Sequence, residues 1–159
     1  MRLAEIKQHR FISEGKAAIK ISVPTPDNSY RYRSVGFKKI GKAEAFKQAI
    51  QERNRIGEEV WGKFWGRVLS DHTLFCRLPK NLEPTLRVVP GRKTKTYEYT
   101  ANWVVKEGDN LKKVARRYSC NKHTKLGAYI KAKQALLDAY KNEMKLLVFM
   151  GRAPIVSLH

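Results

Sequence analysis

Twice in this chain a run that alternates at every second position gives way to apolar residues spaced by three and four. In the first run Ala17, Ile19, Ile21 and Val23 alternate with Ala18, Lys20 and Ser22, which is the period of a strand with one buried face. Pro24, Pro26, Asp27 and Asn28 supply a turn, and residues 30–38 read as a second strand returning in hairpin register. Gly41 closes it. Ala45, Phe46, Ala49, Ile50 and Arg53 then fall on one stripe of a helix spanning about residues 42–57. A half-apolar sheet needs a layer to cover it, and the following helix provides one.

The second run repeats the order. Tyr97, Tyr99, Ala101, Trp103 and Val105 alternate with Glu98, Thr100, Asn102, Val104 and Lys106. A turn follows at residues 106–110, then a strand over 111–122. Ala128, Tyr129, Ala132, Ala135, Leu136 and Tyr140 make the helical stripe, continuing toward Leu146 and Leu147. "RYRS" at 31–34 aligns with "RRYS" at 116–119, and "AFKQA" at 45–49 with "AYIKA" at 128–132. Internal repetition of this kind predicts a tandem duplication. The expected fold class is α+β: two tandem units, each a small antiparallel sheet of two to three strands packed on one α-helix. Residues 1–57 form the first unit, 58–95 a connecting region, 96–150 the second unit and 151–159 a C-terminal tail. Within the connecting region Trp61, Phe64 and Trp65 read as core.

Charge narrows the function. The chain has 159 residues, 42% of them hydrophobic, so it can bury a core; its 33 Lys and Arg against 14 Asp and Glu leave a formal charge of +19. That excess exceeds what solubility asks for and predicts a polyanionic partner. Residues 1–57 hold 13 basic and 5 acidic side chains, and residues 87–133 hold 13 and 3, so the charge belongs to both foldable segments rather than to a tail. The first residues show no secretory signal, and the longest apolar stretch, 146–150, is too short to span a bilayer. The expectation is a cytosolic protein, nucleoid-associated if bacterial or phage-encoded, with no membrane partner. Cys76 and Cys120 are expected to be free thiols in that compartment.

The stretch "SVGFKKIGKAEAFKQAIQER", residues 34–53, resembles the APETALA/ethylene-response-factor type of DNA-binding domain, in the versions found in apicomplexan regulators and beside phage homing endonucleases. The resemblance covers about residues 15–57 and extends to 97–141, where the second copy lacks a glycine equivalent to Gly41. It implies a three-stranded antiparallel sheet laid in the DNA major groove with the helix behind it. Strands fit that groove, where Arg can pair with guanine and Asn with adenine.

Parity nominates the contacting residues. With Val35 and Phe37 turned toward the helix, Tyr30, Tyr32 and Ser34 face DNA. Arg31 and Arg33 fall on the other parity and join the base-contact candidates only if a bulge or the strand edge brings them round. In the second copy Lys113, Arg117, Ser119 and Asn121 face outward beside Asn102 and Thr100, with Val114, Tyr118 and Cys120 inward. Lys20, Lys38, Lys106, Lys112 and Lys122 are placed for phosphates.

Catalytic apparatus is not legible. His9, His72, His123 and His159 are scattered, and His72 with Cys76 has no second pair at zinc-site spacing. No acidic cluster suited to Mg²⁺ and no glycine-rich phosphate loop occurs. The expectation is a non-enzymatic protein without cofactor or metal that binds duplex DNA and represses transcription by occupying a promoter, of phage or mobile-element origin. Nothing in the sequence requires a homo-oligomer. Two alternatives stand beside it: a structural RNA binder, and the DNA-binding accessory module of a recombinase or homing endonuclease.

Overall fold

In the computed structural model of the chain, which describes residues 9–153, the first change of period becomes a sheet and a helix. Strands β1 (Ile12–Glu14), β2 (Ala18–Pro24) and β3 (Tyr30–Gly36) form an antiparallel sheet in that order. Helix α1 (Lys42–Trp61) covers it, followed by a 3₁₀ turn (Gly62–Phe64) and α2 (Trp65–Ser70). Period two drives the packing: Ile19, Ile21 and Val23 are buried against Ala45, Ala49 and Ile56 of α1.

The helix runs past the expected end at Gly57. This glycine is interior because the Trp65 indole fills the space of its missing side chain; a Cβ there would lie 2.2 Å from the ring carbons. Trp61 is fully buried, and its Nε1 donates to the Pro24 carbonyl at 2.7 Å. Each indole removes on the order of 200 Å² from water, about 5 kcal/mol of gross hydrophobic stabilisation. The segment "EEVWGKFWGRVL" therefore belongs to the first unit and gives Trp61, Trp65 and Val68 to its core, and the chain divides into compact units Met1–His72 and Thr73–His159. Residues 1–8 of the expected first unit and 154–159 of the expected tail lie outside the described residues.

Some of the positive charge lies inside. Arg53, on the apolar stripe of α1, is 2% exposed. Its guanidinium donates to the Arg10 carbonyl at 3.0 Å and to Asn54 Oδ1, and burial lowers its pKa from the ordinary arginine value.

In the second unit α3 (Leu74–Arg77) precedes the antiparallel strands β4 (Thr85–Val88), β5 (Tyr97–Glu107) and β6 (Asn110–Ser119). Then come α4 (Cys120–His123), α5 (Lys125–Ala139), a 3₁₀ turn (Lys141–Glu143) and α6 (Met144–Phe149). Ala101 of β5 and Ala128 and Ala132 of α5 are fully buried; small side chains let helix and sheet approach closely. The Tyr99 and Tyr129 rings meet edge to face at 5.4 Å on the same side. Leu74, Leu78, Leu82, Leu136, Leu146 and Leu147 complete this core. Tyr140 Oη donates to the Arg77 carbonyl at 3.2 Å and accepts from the Val104 N–H at 3.4 Å.

The strand expected over 111–122 is corrected at its end. Ser119 takes an extended conformation and its Oγ accepts from the Lys122 N–H at 3.3 Å, so the hydroxyl caps α4 and the ladder stops there. Cys120, Asn121 and Lys122 lie in that helical turn, not on the strand.

Both units order three antiparallel strands before a long helix, without being symmetric. The paired strands β2 and β3 have 7 residues each, whereas β5 and β6 have 11 and 10, and α4 has no counterpart among the described residues of the first unit. The long helices do begin alike: the N-cap of α1 is Gly41 with φ 84° and ψ 159°, and that of α5 is Thr124 with φ 64° and ψ 165°. Glycine adopts this backbone freely and threonine does not. The Thr124 hydroxyl accepts from the Gly127 N–H at 3.1 Å in partial return. Thr124→Gly is expected to raise stability by about 1 kcal/mol in urea denaturation. Relief of about 1–3 kcal/mol of strain outweighs a cap difference of a few tenths and about 0.5–1 kcal/mol of added chain entropy.

Candidate nucleic-acid interface

Pairing register decides which side chains leave the sheet on the face turned away from the helix. In the second unit Glu98 pairs with Ser119, Thr100 with Arg117, Asn102 with Ala115 and Val104 with Lys113, while Tyr99 pairs with Tyr118 and Ala101 with Arg116. Directly opposed residues share a face. Tyr99 and Ala101 define the helix side, so Glu98, Thr100, Asn102, Lys113, Arg117 and Ser119 occupy the open one. Asn102, Lys113 and Arg117 are exposed there. Lys106, opposed to Leu111, shares this face near the hairpin turn; Lys112, opposed to Val105, takes the other, with its Nζ 3.7 Å from Glu107.

The first unit presents a different surface. Lys20 pairs with Ser34, Ser22 with Tyr32 and Pro24 with Tyr30, which places Tyr30, Tyr32, Ser34 and Lys20 on the open face. Tyr30 and Tyr32 are 53% and 66% exposed, with ring centroids 6.1 Å apart and nearly parallel. Arg31 and Arg33 oppose the buried Val23 and Ile21 and leave the sheet on the helix side. No bulge turns them, and the helix supplies their partners: Arg31 Nη1 lies 2.8 Å from Glu59 Oε1 and Arg33 Nε 4.0 Å from Glu52 Oε1. Arg55 bridges the same two carboxylates at 2.6 and 3.3 Å. Arg31 holds the Glu59 carboxyl below the usual carboxylate pKa, and Arg55 chiefly does so for Glu52. The sheet thus separates Arg31 and Arg33 from Tyr32 and Ser34. Lys38 is exposed in the turn before α1, and Asn121 and Lys122 are exposed on α4.

Two residues of the second unit were not singled out from the sequence. Arg87 of β4 opposes Glu98 and shares its face. The Glu98 side chain is only 12% exposed, and its Oε1 lies 2.8 Å from Arg87 Nε and 3.8 Å from Arg117 Nε. That oxygen is buried with no aligned hydrogen bond, as is the adjacent Thr100 Oγ1. The open face of the second sheet therefore holds two arginines from its outer strands around one central carboxylate.

Among the described residues no group of three or more His, Cys, Asp or Glu is arranged to hold a metal ion, and no helix is long and apolar enough to cross a membrane. Cys76 and Cys120 are free. No family model matches the chain, and neither a curated protein nor a solved structure matches it.

Proposed function

We propose that the chain is a sequence-specific duplex DNA-binding protein whose two units are diverged copies of one sheet-plus-helix reader, related to the APETALA/ethylene-response-factor type. It acts by occupying a promoter, hence as a transcriptional repressor. The observation that carries the reading is the open face of the second sheet, where register gathers exposed Asn102, Lys113 and Arg117 in a chain with a formal charge of +19. These are the side-chain types that read adenine and guanine and neutralise phosphate in a major groove. The matching backbone at Gly41 and Thr124 supports common descent of the units. Two linked readers select a longer site than either alone, through effective concentration.

A second reading, an RNA binder, is favoured by one observation: the exposed, near-parallel Tyr30 and Tyr32 rings could stack unpaired bases. Competition between a duplex selected from a random pool and a structured RNA separates the two. Tighter binding to duplex supports the DNA reading; tighter binding to RNA replaces it.

Within the DNA reading, Arg117→Ala is expected to cost about 1–3 kcal/mol on the selected duplex and little on a scrambled one, as loss of a bidentate guanine contact does. Arg31→Ala, whose side chain lies beside Glu59 on the helix side, is expected to leave the ratio between the two duplexes unchanged. Equal losses on both duplexes for Arg117→Ala would make that arginine a backbone contact only.

A further inference from the structure

Carboxylates are unfavourable against DNA unless they do something for their neighbours, and Glu98 stands in the middle of the proposed reading face. Its Oε1 is buried between two guanidiniums in ion-pair contact without an aligned hydrogen bond, Nε being the nearest nitrogen of each, at 2.8 Å for Arg87 and 3.8 Å for Arg117. The Nη groups of both make no hydrogen bond among the described residues, and the two side chains remain 36% and 58% exposed. An Nη1/Nη2 fork is one of the geometries that grips guanine O6 and N7 together. Sharing one oxygen also fixes the spacing: the two Nε atoms lie within about 7 Å of each other, roughly two base steps of 3.4 Å along one strand.

Resting on the duplex reading, we propose that Glu98 is a positioning residue that holds Arg87 and Arg117 by their Nε sides, and that Arg87 is a second guanine reader beside Arg117. The site then recognises two guanines one or two steps apart on one strand. Without the carboxylate each long side chain samples many rotamers, and ordering both is charged against binding. With it the forks are set before DNA arrives.

Electrostatics alone and positioning make opposite forecasts for Glu98→Gln, a change that keeps shape and removes a negative charge. If Glu98 is only a charge, its loss tightens binding to every duplex by one factor. If it positions, binding to scrambled duplex is unchanged or tighter while the ratio of selected to scrambled affinity falls about tenfold.

The experiment uses the full chain, a duplex selected from a random pool and its scrambled counterpart. The wild-type selection is expected to show the two guanines, with Arg87→Ala and Arg117→Ala each relaxing one of them. In the free protein, the Nε–H resonances of Arg87 and Arg117 are expected to be resolved by nuclear magnetic resonance and to broaden in Glu98→Gln. Should Glu98→Gln not fold, Arg87→Lys serves: it keeps the charge, loses the fork and is expected to lower the ratio alone. A uniform gain on both duplexes, or resonances unaffected by Glu98→Gln, overturns the positioning role and leaves the duplex reading intact. A wild-type chain that binds no duplex overturns the reading and the inference with it.

Discussion

Raising monovalent salt from about 50 to 200 mM is expected to weaken duplex binding on the order of 10⁴-fold. A chain touching about 8 phosphates releases the counterions condensed on them, which gives a slope near −7 in log affinity against log salt. The candidates include Lys20, Lys38, Lys106, Lys112 and Lys122, all exposed. The 33 Lys and Arg overstate the cations that can reach phosphate, because Arg53 is buried and Arg31, Arg33 and Arg55 are paired with Glu52 and Glu59, whose charges the formal +19 already subtracts. Titration of a labelled duplex across a salt series measures the slope. A value near zero would mean that phosphates are not the basis of affinity.

Trp61→Ala is expected to destabilise the first unit by about 3–5 kcal/mol, the range for removing a large aromatic side chain from a core. The indole is fully buried and is also the donor to the Pro24 carbonyl at 2.7 Å. The truncation leaves a cavity under β2 and strips that carbonyl of a partner. Native-state amide exchange at Ile21 and Val23 should speed up by at least about 100-fold where exchange follows global opening. An unchanged rate would show that the segment after Gly57 does not support the first sheet.

What could be read from the sequence follows from how each residue type signals. Ile19, Ile21 and Val23 announce β2 because period two is unambiguous in a run of β-branched residues. The stripe of Ala45, Ala49 and Arg53 announces α1 equally well. Gly57 misled, since a glycine marks either the end of a helix or a place where another group comes close, and only the Trp65 indole tells them apart. Strands β1 and β4, of 3 and 4 residues, are too short to show a period, so Arg87 on β4 stayed out of view. Parity placed Lys113 and Arg117 on one face with Asn102, as the register has them. The end of β6 was hidden because Ser119 continues the alternation while its hydroxyl serves as a cap. The convergence on Glu98 joins three strands and exists only once the pairing of β4, β5 and β6 is known.

The unequal lengths of the second sheet's strands have a bearing on self-association. Strand β4 pairs with residues 97–100 of β5 and no further, and β6 is an outer strand, so stretches of backbone N–H and C=O are left without a ladder partner. Such edges invite another chain to add a strand, and lysines are among the devices that deter it, because a cation resists burial in a new seam. Lys106, Lys112 and Lys113 stand where the hairpin is longest and least covered. Under the proposed duplex reading Lys106 and Lys112 are phosphate candidates and Lys113 a base-contact candidate, so side chains offered to DNA also guard this edge against a second copy. Within the duplex reading, exchanging all three for small apolar residues is expected to weaken binding and to expose a template for aggregation in the same step.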